Sequence, residues 1–365
     1  MSANANVPTK SGAVPPALLE LSRGDYTEAR HRGSLAAVAA DEHLIAVLGD
    51  PELPVILRSA AKPFQLMTVL ASGAAERFGL VDEELAVAAA SHSAEPEHLR
   101  AVRSLLGKIG LEESDLRCGV HQPFAPHVAE RMARAGERPT PVHNNCSGKH
   151  AAMLAACLAR GWSTEGYDRL EHPLQQENLG RIARLADLPP ERVGVVIDGC
   201  GVPAFVLPLA RAALAFARIA DFRAAPQGED ELARRAMTAI TARPSYGSAA
   251  VGRLEAVLME VGGGLLLAKV GAEGVYGVGI APGVVGKHGV GLVLKLEDGI
   301  TFNRASDPII VEALRQLGAL SEQDLERLSE FGPREVTNCR GEAVGRMRVL
   351  FNLPVRRVSD QGQNL

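Results

Sequence analysis

The stretch Arg58-Ser59-Ala60-Ala61-Lys62-Pro63-Phe64-Gln65 decides how the rest of this chain is read. It places a serine three residues before a lysine, and residues at i and i+3 share one face of a helix. A lysine that loses its charge there can take the proton of the serine hydroxyl and leave a nucleophile. That is the Ser-x-x-Lys arrangement of serine acyl-transfer chemistry. Pro63 fits a first helical turn, where its missing N–H costs little. The pattern therefore predicts a helix over 59–72, with Ser59 and Lys62 near its positive end. Alone, the spacing says little, because a plain helical turn contains it equally well.

Two further elements add weight. Ser91-His92-Ser93 follows the apolar run 85–90, and Lys269-Val270-Gly271 follows the glycine-rich run 262–268. In chain order the set resembles that of the penicillin-recognising serine enzymes, which carry Ser-x-x-Lys, then Ser-x-Asn, then Lys-Thr-Gly. Here Ser93 stands in place of Asn and Val270 in place of Thr, so the likeness is one of architecture with imperfect motifs.

Bulk composition narrows the field. The 365 residues are 46% hydrophobic, enough to bury a large core as one domain or two with a shared interface. Net charge is −4 without a long basic run, and aromatics make up 4%, which argues against nucleic acid and anionic membrane partners. Residues 1–16 lack a basic start followed by an apolar core, so no signal peptide is read. No run approaches the roughly 18 apolar residues of a membrane span. The expected location is the cytoplasm. Five cysteines, an odd number, argue against a disulfide scaffold; Cys118, Cys157 and Cys339 read as core or surface thiols.

Residues 1–17 read as a flexible arm, and 18–365 as one domain. Strands are expected at 35–40 and 44–48, as a hairpin across Asp41-Glu42-His43, and at 55–57. Apolar residues at helical spacing recur over 83–90, 97–109, 127–134, 149–160, 173–185, 203–219 and 229–241. Gly110, Gly136, Gly161 and Pro189-Pro190 punctuate these segments, and 193–197 reads as a short buried strand. The last third returns to strands at 263–270, 274–280, 290–296 and 344–351, with helices at 307–317 and 322–330. The layout is an α+β sandwich: an antiparallel sheet built from both termini (18–58 and 255–365) around an inserted helical region (59–254). This is the β-lactamase and penicillin-binding-protein layout, and here pattern and motif order agree.

A second cluster combines His143-Asn144-Asn145-Cys146-Ser147-Gly148-Lys149-His150 with Asp198-Gly199-Cys200-Gly201-Val202-Pro203. Cys146 and Lys149 share a helix face, and Asp198 and Cys200 point the same way if strand geometry continues. Two thiols, a carboxylate and an amine can hold zinc tetrahedrally. The alternative is a pair of loop thiols whose pKa Lys149 lowers. Glu28-Ala29-Arg30-His31-Arg32-Gly33 reads as a solvated loop able to offer charge to a substrate. His92 and His150 read as structurally bonded, Met259-Glu260 as core plus a partnered carboxylate, and Glu95-Pro96 as a helix start.

Taken together, the blocks at 58–63, 91–95, 143–150, 198–203 and 269–274 resemble the rhizobial-type (class 3, asparaginase II) L-asparaginases, over about 24–345. The resemblance implies hydrolysis of L-asparagine to L-aspartate and ammonia on a β-lactamase/glutaminase-like fold, usually as a homodimer. It implies two Ser–Lys pairs, Ser59 with Lys62 and Ser91 with Lys269. It also implies a zinc site of Cys146, Lys149, Asp198 and Cys200 beside the pocket, close to the reaction without driving it. Burial and mutual repulsion are expected to depress at least one lysine, leaving Ser59 to attack the amide; the roles of Ser59 and Ser91 are interchangeable on sequence. A glutaminase differs by one methylene of substrate, worth roughly 1–3 kcal/mol in an apolar pocket. A penicillin-interacting hydrolase would need export. An inactive zinc-stabilised binding module would not require both Ser–Lys pairs.

Overall fold

Strand pairing in the computed structural model, which describes residues 14–248, 252–300 and 305–356, joins the two ends of the chain in one sheet. Most of the expected arm, 1–13, and the end of the expected domain, 357–365, lie outside the described residues. The strands are β1 (Ala17–Arg23), β2 (Tyr26–Ala39), β3 (Leu44–Leu48), β4 (Pro54–Ile56), β5 (Gly194–Ile197), β6 (Pro203–Pro208), β7 (Leu266–Val270), β8 (Val275–Ile280), β9 (Val290–Leu296), β10 (Glu335–Thr337) and β11 (Ala343–Val349). Eight of them form an antiparallel sheet in the order β10-β11-β1-β2-β9-β8-β7, with β3 also paired to β2. The α+β layout expected from sequence, with its sheet built from both termini around helices, is the one observed.

Glycine shapes the sheet for helix packing. A Cβ on Gly291 would lie 1.8 Å from Ala213 O, one on Gly277 2.2 Å from the Phe216 ring, and one on Gly279 2.7 Å from Phe216 O. These positions admit no side chain, so the helix Leu209–Ala220 rests almost on the backbone of β8 and β9. Because side chains alternate across a strand, Tyr276 points away from Gly277. It lies where the charge of Asp307, on the helix Ser306–Leu317, reaches it. Helices therefore cover both faces. Glu20 on β1 ties the chain ends together by accepting from Arg30 on β2 and Arg348 on β11.

Several sequence expectations need correction. The segment 203–219 is not one helix: Pro203–Pro208 forms β6, and the helix begins at Leu209. With β4 and β5 it makes a second, three-stranded sheet inside the region expected to be helical. β5 is not buried; Ile197 is 67% exposed. Residues 28–33 are strand rather than loop, because β2 runs unbroken from Tyr26 and pairs with β1 and then β9. The three-residue strand β10 and the opening strand β1 carry too little pattern of their own to be read without their partners.

Candidate active site

Pro63 sets the geometry of the Ser59 turn. An α-helix would bond Ser59 O to the N–H of residue 63, which proline lacks. Ser59 O instead accepts from the Lys62 N–H, so Arg58–Ala61 is a 3-10 turn and the α-helix proper spans Lys62–Ala71. The turn is entered at Arg58 with φ +46°, a conformation that costs a side-chain-bearing residue about 1–3 kcal/mol. Arg58 is held there by Asp198, Nε donating to Oδ1 at 2.7 Å. Glu273, also at positive φ (+56°), faces it with Oε1 3.8 Å from the guanidinium. The end of β7 abuts this turn so closely that a Cβ on Gly271 would lie 2.7 Å from Leu57 O.

The two amines share one serine. Lys62 Nζ, wholly buried, donates to Ala90 O at 2.5 Å and to Ser91 Oγ at 3.0 Å. Lys269 Nζ, equally buried on β7, reaches the same Ser91 Oγ at 3.2 Å and Val270 O at 3.1 Å. Among the described residues no hydrogen bond joins Ser59 to Lys62. The expected Ser91–Lys269 contact is present; the Ser59–Lys62 pair shares a turn but not a bond. Burial pushes both amines below the ordinary lysine range, Lys269 down to about 7. The Lys62 charge adds to this on Lys269, while the like-charge neighbour acting on Lys62 is Lys149.

The thiol cluster touches this pair. Cys146 is felt by the Lys62 amine and is coupled to the Cys200 thiol. Lys149 Nζ donates to Cys200 Sγ at 3.0 Å, and Cys200 Sγ lies 3.7 Å from Asp198 Oδ2. Interaction with Cys146, helped by Lys149, pulls Cys200 down to about 5, whereas interaction with Cys200 and burial push Cys146 up to about 12. Against burial, the surrounding thiols and Asp198 keep Lys149 above its usual value. Of the two thiols, Cys200 is the one this surrounding makes the more acidic. His92 bridges the two loops: Ala94 N–H donates to Nδ1 at 3.2 Å, so the ring proton sits on Nε2, 2.8 Å from Ser147 Oγ.

A cavity of about 360 Å³ opens onto both groups, lined among others by Arg58, Ser59, Ser91, Cys146, Asp198 and Cys200. The sequence model for L-asparaginase II matches residues 19–349. The chain belongs to the L-asparaginase II family. As a member of the L-asparaginase II family it is an amidohydrolase. No curated protein matches the chain. Among solved structures it is similar to a Bacillus subtilis glutaminase, YbgJ, in covalent complex with 5-oxo-L-norleucine, at 14% identity over 80% of this chain and 89% of that one, with a TM-score of 0.38. A probable glutaminase of the same organism, complexed with 6-diazo-5-oxo-L-norleucine, is 13% identical over 78% and 83%, with a TM-score of 0.37.

Fold brings all eight residues singled out in this L-asparaginase II chain to one place. Sequence reading missed Arg253, His121, Phe124 and Glu255. The first three line the cavity. His121 accepts the Asn145 N–H on Nε2 at 2.9 Å and stacks on Phe124, with ring centres 4.9 Å apart. They fall in two short stretches, His121 with Phe124 and Arg253 with Glu255, neither of which forms a pattern tied to a chemistry. The donor set around Cys200 fits zinc in kind, with two sulfurs, an amine and a carboxylate. Among the described residues, however, no three Cys, His, Asp or Glu surround a common point, and one Asp198 oxygen is engaged by Arg58. No helix among the described residues is long and apolar enough to cross a membrane. All five cysteines are free.

Proposed function

We propose that the chain hydrolyses the side-chain amide of L-asparagine to L-aspartate and ammonia through a serine ester. One observation carries the reading: two buried amines with depressed pKa converge on Ser91 Oγ at 3.0 and 3.2 Å, beside a cavity that Ser59 also lines. A neutral amine near pH 7 is the base this chemistry needs. Ser59 attacks the amide carbonyl and gives its proton to Lys62, one turn on, whose amine turns from Ser91 Oγ to take it. Backbone N–H groups at the helix start stabilise the oxyanion. Ser91, bonded to both amines, passes a proton between Lys62 and Lys269, and the amide nitrogen leaves as ammonia with that proton. The same amines then deprotonate water, which cleaves the ester and releases aspartate while the proton taken from water returns to Ser59 Oγ.

A second assignment makes Ser91 the nucleophile. It is supported by the same contacts, since a base is expected within about 2.6–3.2 Å of the hydroxyl it activates. Zinc is proposed at Cys146, Lys149, Asp198 and Cys200, with Cys146 and Lys149 giving up protons to bind it. With four protein ligands it would be a closed site that ties the two loops together beside the cavity. The proposed setting is a cytoplasmic homodimer.

The test combines ammonia release from L-asparagine and L-glutamine with covalent trapping by a diazoketone analogue of asparagine, read by intact mass. Release from asparagine with an adduct lost only in Ser59→Ala supports the first assignment. An adduct lost only in Ser91→Ala exchanges the serines. Release from glutamine in preference makes the chain a glutaminase, and release from neither amide refutes the reading.

A further inference from the structure

β7 is the last strand of the main sheet, and an unpaired sheet edge has to be covered. The helix Leu254–Val261 covers it, and the first turn of that helix carries Glu255, which is 1% exposed. Its Oε1 accepts the Val270 N–H at 3.3 Å and lies 3.8 Å from Lys269 Nζ. A buried carboxylate persists only where it is paired or hydrogen-bonded. Among the described residues both of these partners belong to the Lys269-Val270 step, which delivers the second amine to Ser91.

We propose that Glu255 is a positioning residue: it clamps the backbone and the amine of Lys269 so that the amine stays on Ser91, and its charge governs when that amine carries a proton. The consequence for hydrolysis rests on the function proposed above. Charged and titratable groups reach Lys269 from several elements. Lys62 comes from the helix Lys62–Ala71, Arg253 and Glu255 from the covering helix and its cap, and Cys146 from the start of the helix Ser147–Arg160. Tyr276 on β8 lies beyond, within reach of Glu255 and Asp307. Burial and Lys62 lower Lys269, and Glu255 is the charge that opposes them. Burial and the same Glu255 charge also push Asp307 up to about 7. One carboxylate is thus felt both by the amine and by a second acid.

Glu255→Gln keeps the shape and an acceptor for the Val270 N–H but removes the charge. An opposite charge within about 4–6 Å shifts a titration by one to three units. In protein labelled with [ε-¹³C]lysine, with the Lys269 resonance assigned through Lys269→Arg, the NMR titration midpoint is expected to fall by about one unit or more in Glu255→Gln. It should recover in part in Glu255→Asp, which also serves if the glutamine variant fails to fold. The low-pH limb of kcat/KM for L-asparagine should move down with it. An unchanged midpoint overturns the proposal. A shifted midpoint with an unmoved limb also overturns it, because Glu255 then positions nothing the reaction uses. A shifted midpoint in a protein that releases no ammonia from either amide upholds the coupling and removes the substrate reading alone.

Discussion

Replacing Lys62 by methionine separates chemistry from folding at the centre of the site. The lysine has no exposed surface, and its amine donates to Ala90 O and Ser91 Oγ. Methionine fills the same space with an unbranched chain, the kind of swap a packed core tolerates. Losing a positioned proton carrier costs about 10²–10⁴ in rate, or about 3–5 kcal/mol on the barrier at 1.36 kcal/mol per tenfold. The fold loses less. Leaving a buried acceptor without its donor costs about 1–3 kcal/mol, but methionine also removes an amine whose burial is unfavourable, the first cause of its lowered pKa. These terms oppose each other, so the net change in stability is expected within about 2 kcal/mol, a few degrees in Tm. The assay is ammonia release from L-asparagine beside a thermal melt of the same preparation. A variant that stays folded and keeps kcat/KM within tenfold of the native protein refutes the role of Lys62. A Tm lower by more than about 10 °C would mean that the amine is chiefly structural.

Other outcomes follow from single residues. Lys269 acts as a proton acceptor only when neutral, and burial with the Lys62 charge brings it down to about 7. Hydrolysis should therefore rise with pH through about 7 and fall roughly tenfold per unit well below it; a rate that climbs as pH drops from 8 to 6 contradicts the assignment. Gly291→Ala puts a Cβ where Ala213 O already lies 1.8 Å away, so the Leu209–Ala220 helix must lift off the sheet. The expected loss is about 1–3 kcal/mol or more, read by denaturant unfolding, whereas Gly136→Ala, with nothing within 4 Å but φ +67°, should show backbone strain alone. Protein purified without chelator is expected to carry zinc by elemental analysis and to lose it in Cys200→Ser. Equal zinc in that variant would place the metal elsewhere.

Much of the site was readable as spacing. Ser59 and Lys62 lie three residues apart, Cys146 and Lys149 likewise, and Asp198 and Cys200 are separated by one residue. Local geometry alone keeps each of these pairs together. The helices over 97–109 and 173–185 were also legible, because their apolar residues repeat at 3.6 and Gly110 or a proline marks an end. β6 was not, because Pro203–Pro208 is an apolar run that helix and strand can equally use until β4 and β5 pair with it.

What the sequence determined by itself is therefore the inventory: which candidate groups are on offer, their order, and the strand–helix–strand layout that gathers them. Tertiary structure decided which amine meets which hydroxyl. Lys62 is nearest Ser59 along the chain, yet its amine bonds Ser91, 29 residues on. The cause is partly local, since Pro63 tightens the turn into 3-10 form, and partly global. The loop after Asp82–Ala89 brings Ser91 to the buried amine, and the edge of β7 brings Lys269 to it from the other end of the chain. A long side chain buried without water goes to whichever acceptor the surrounding elements place within reach. That choice lies in the packing and is not written in the spacing.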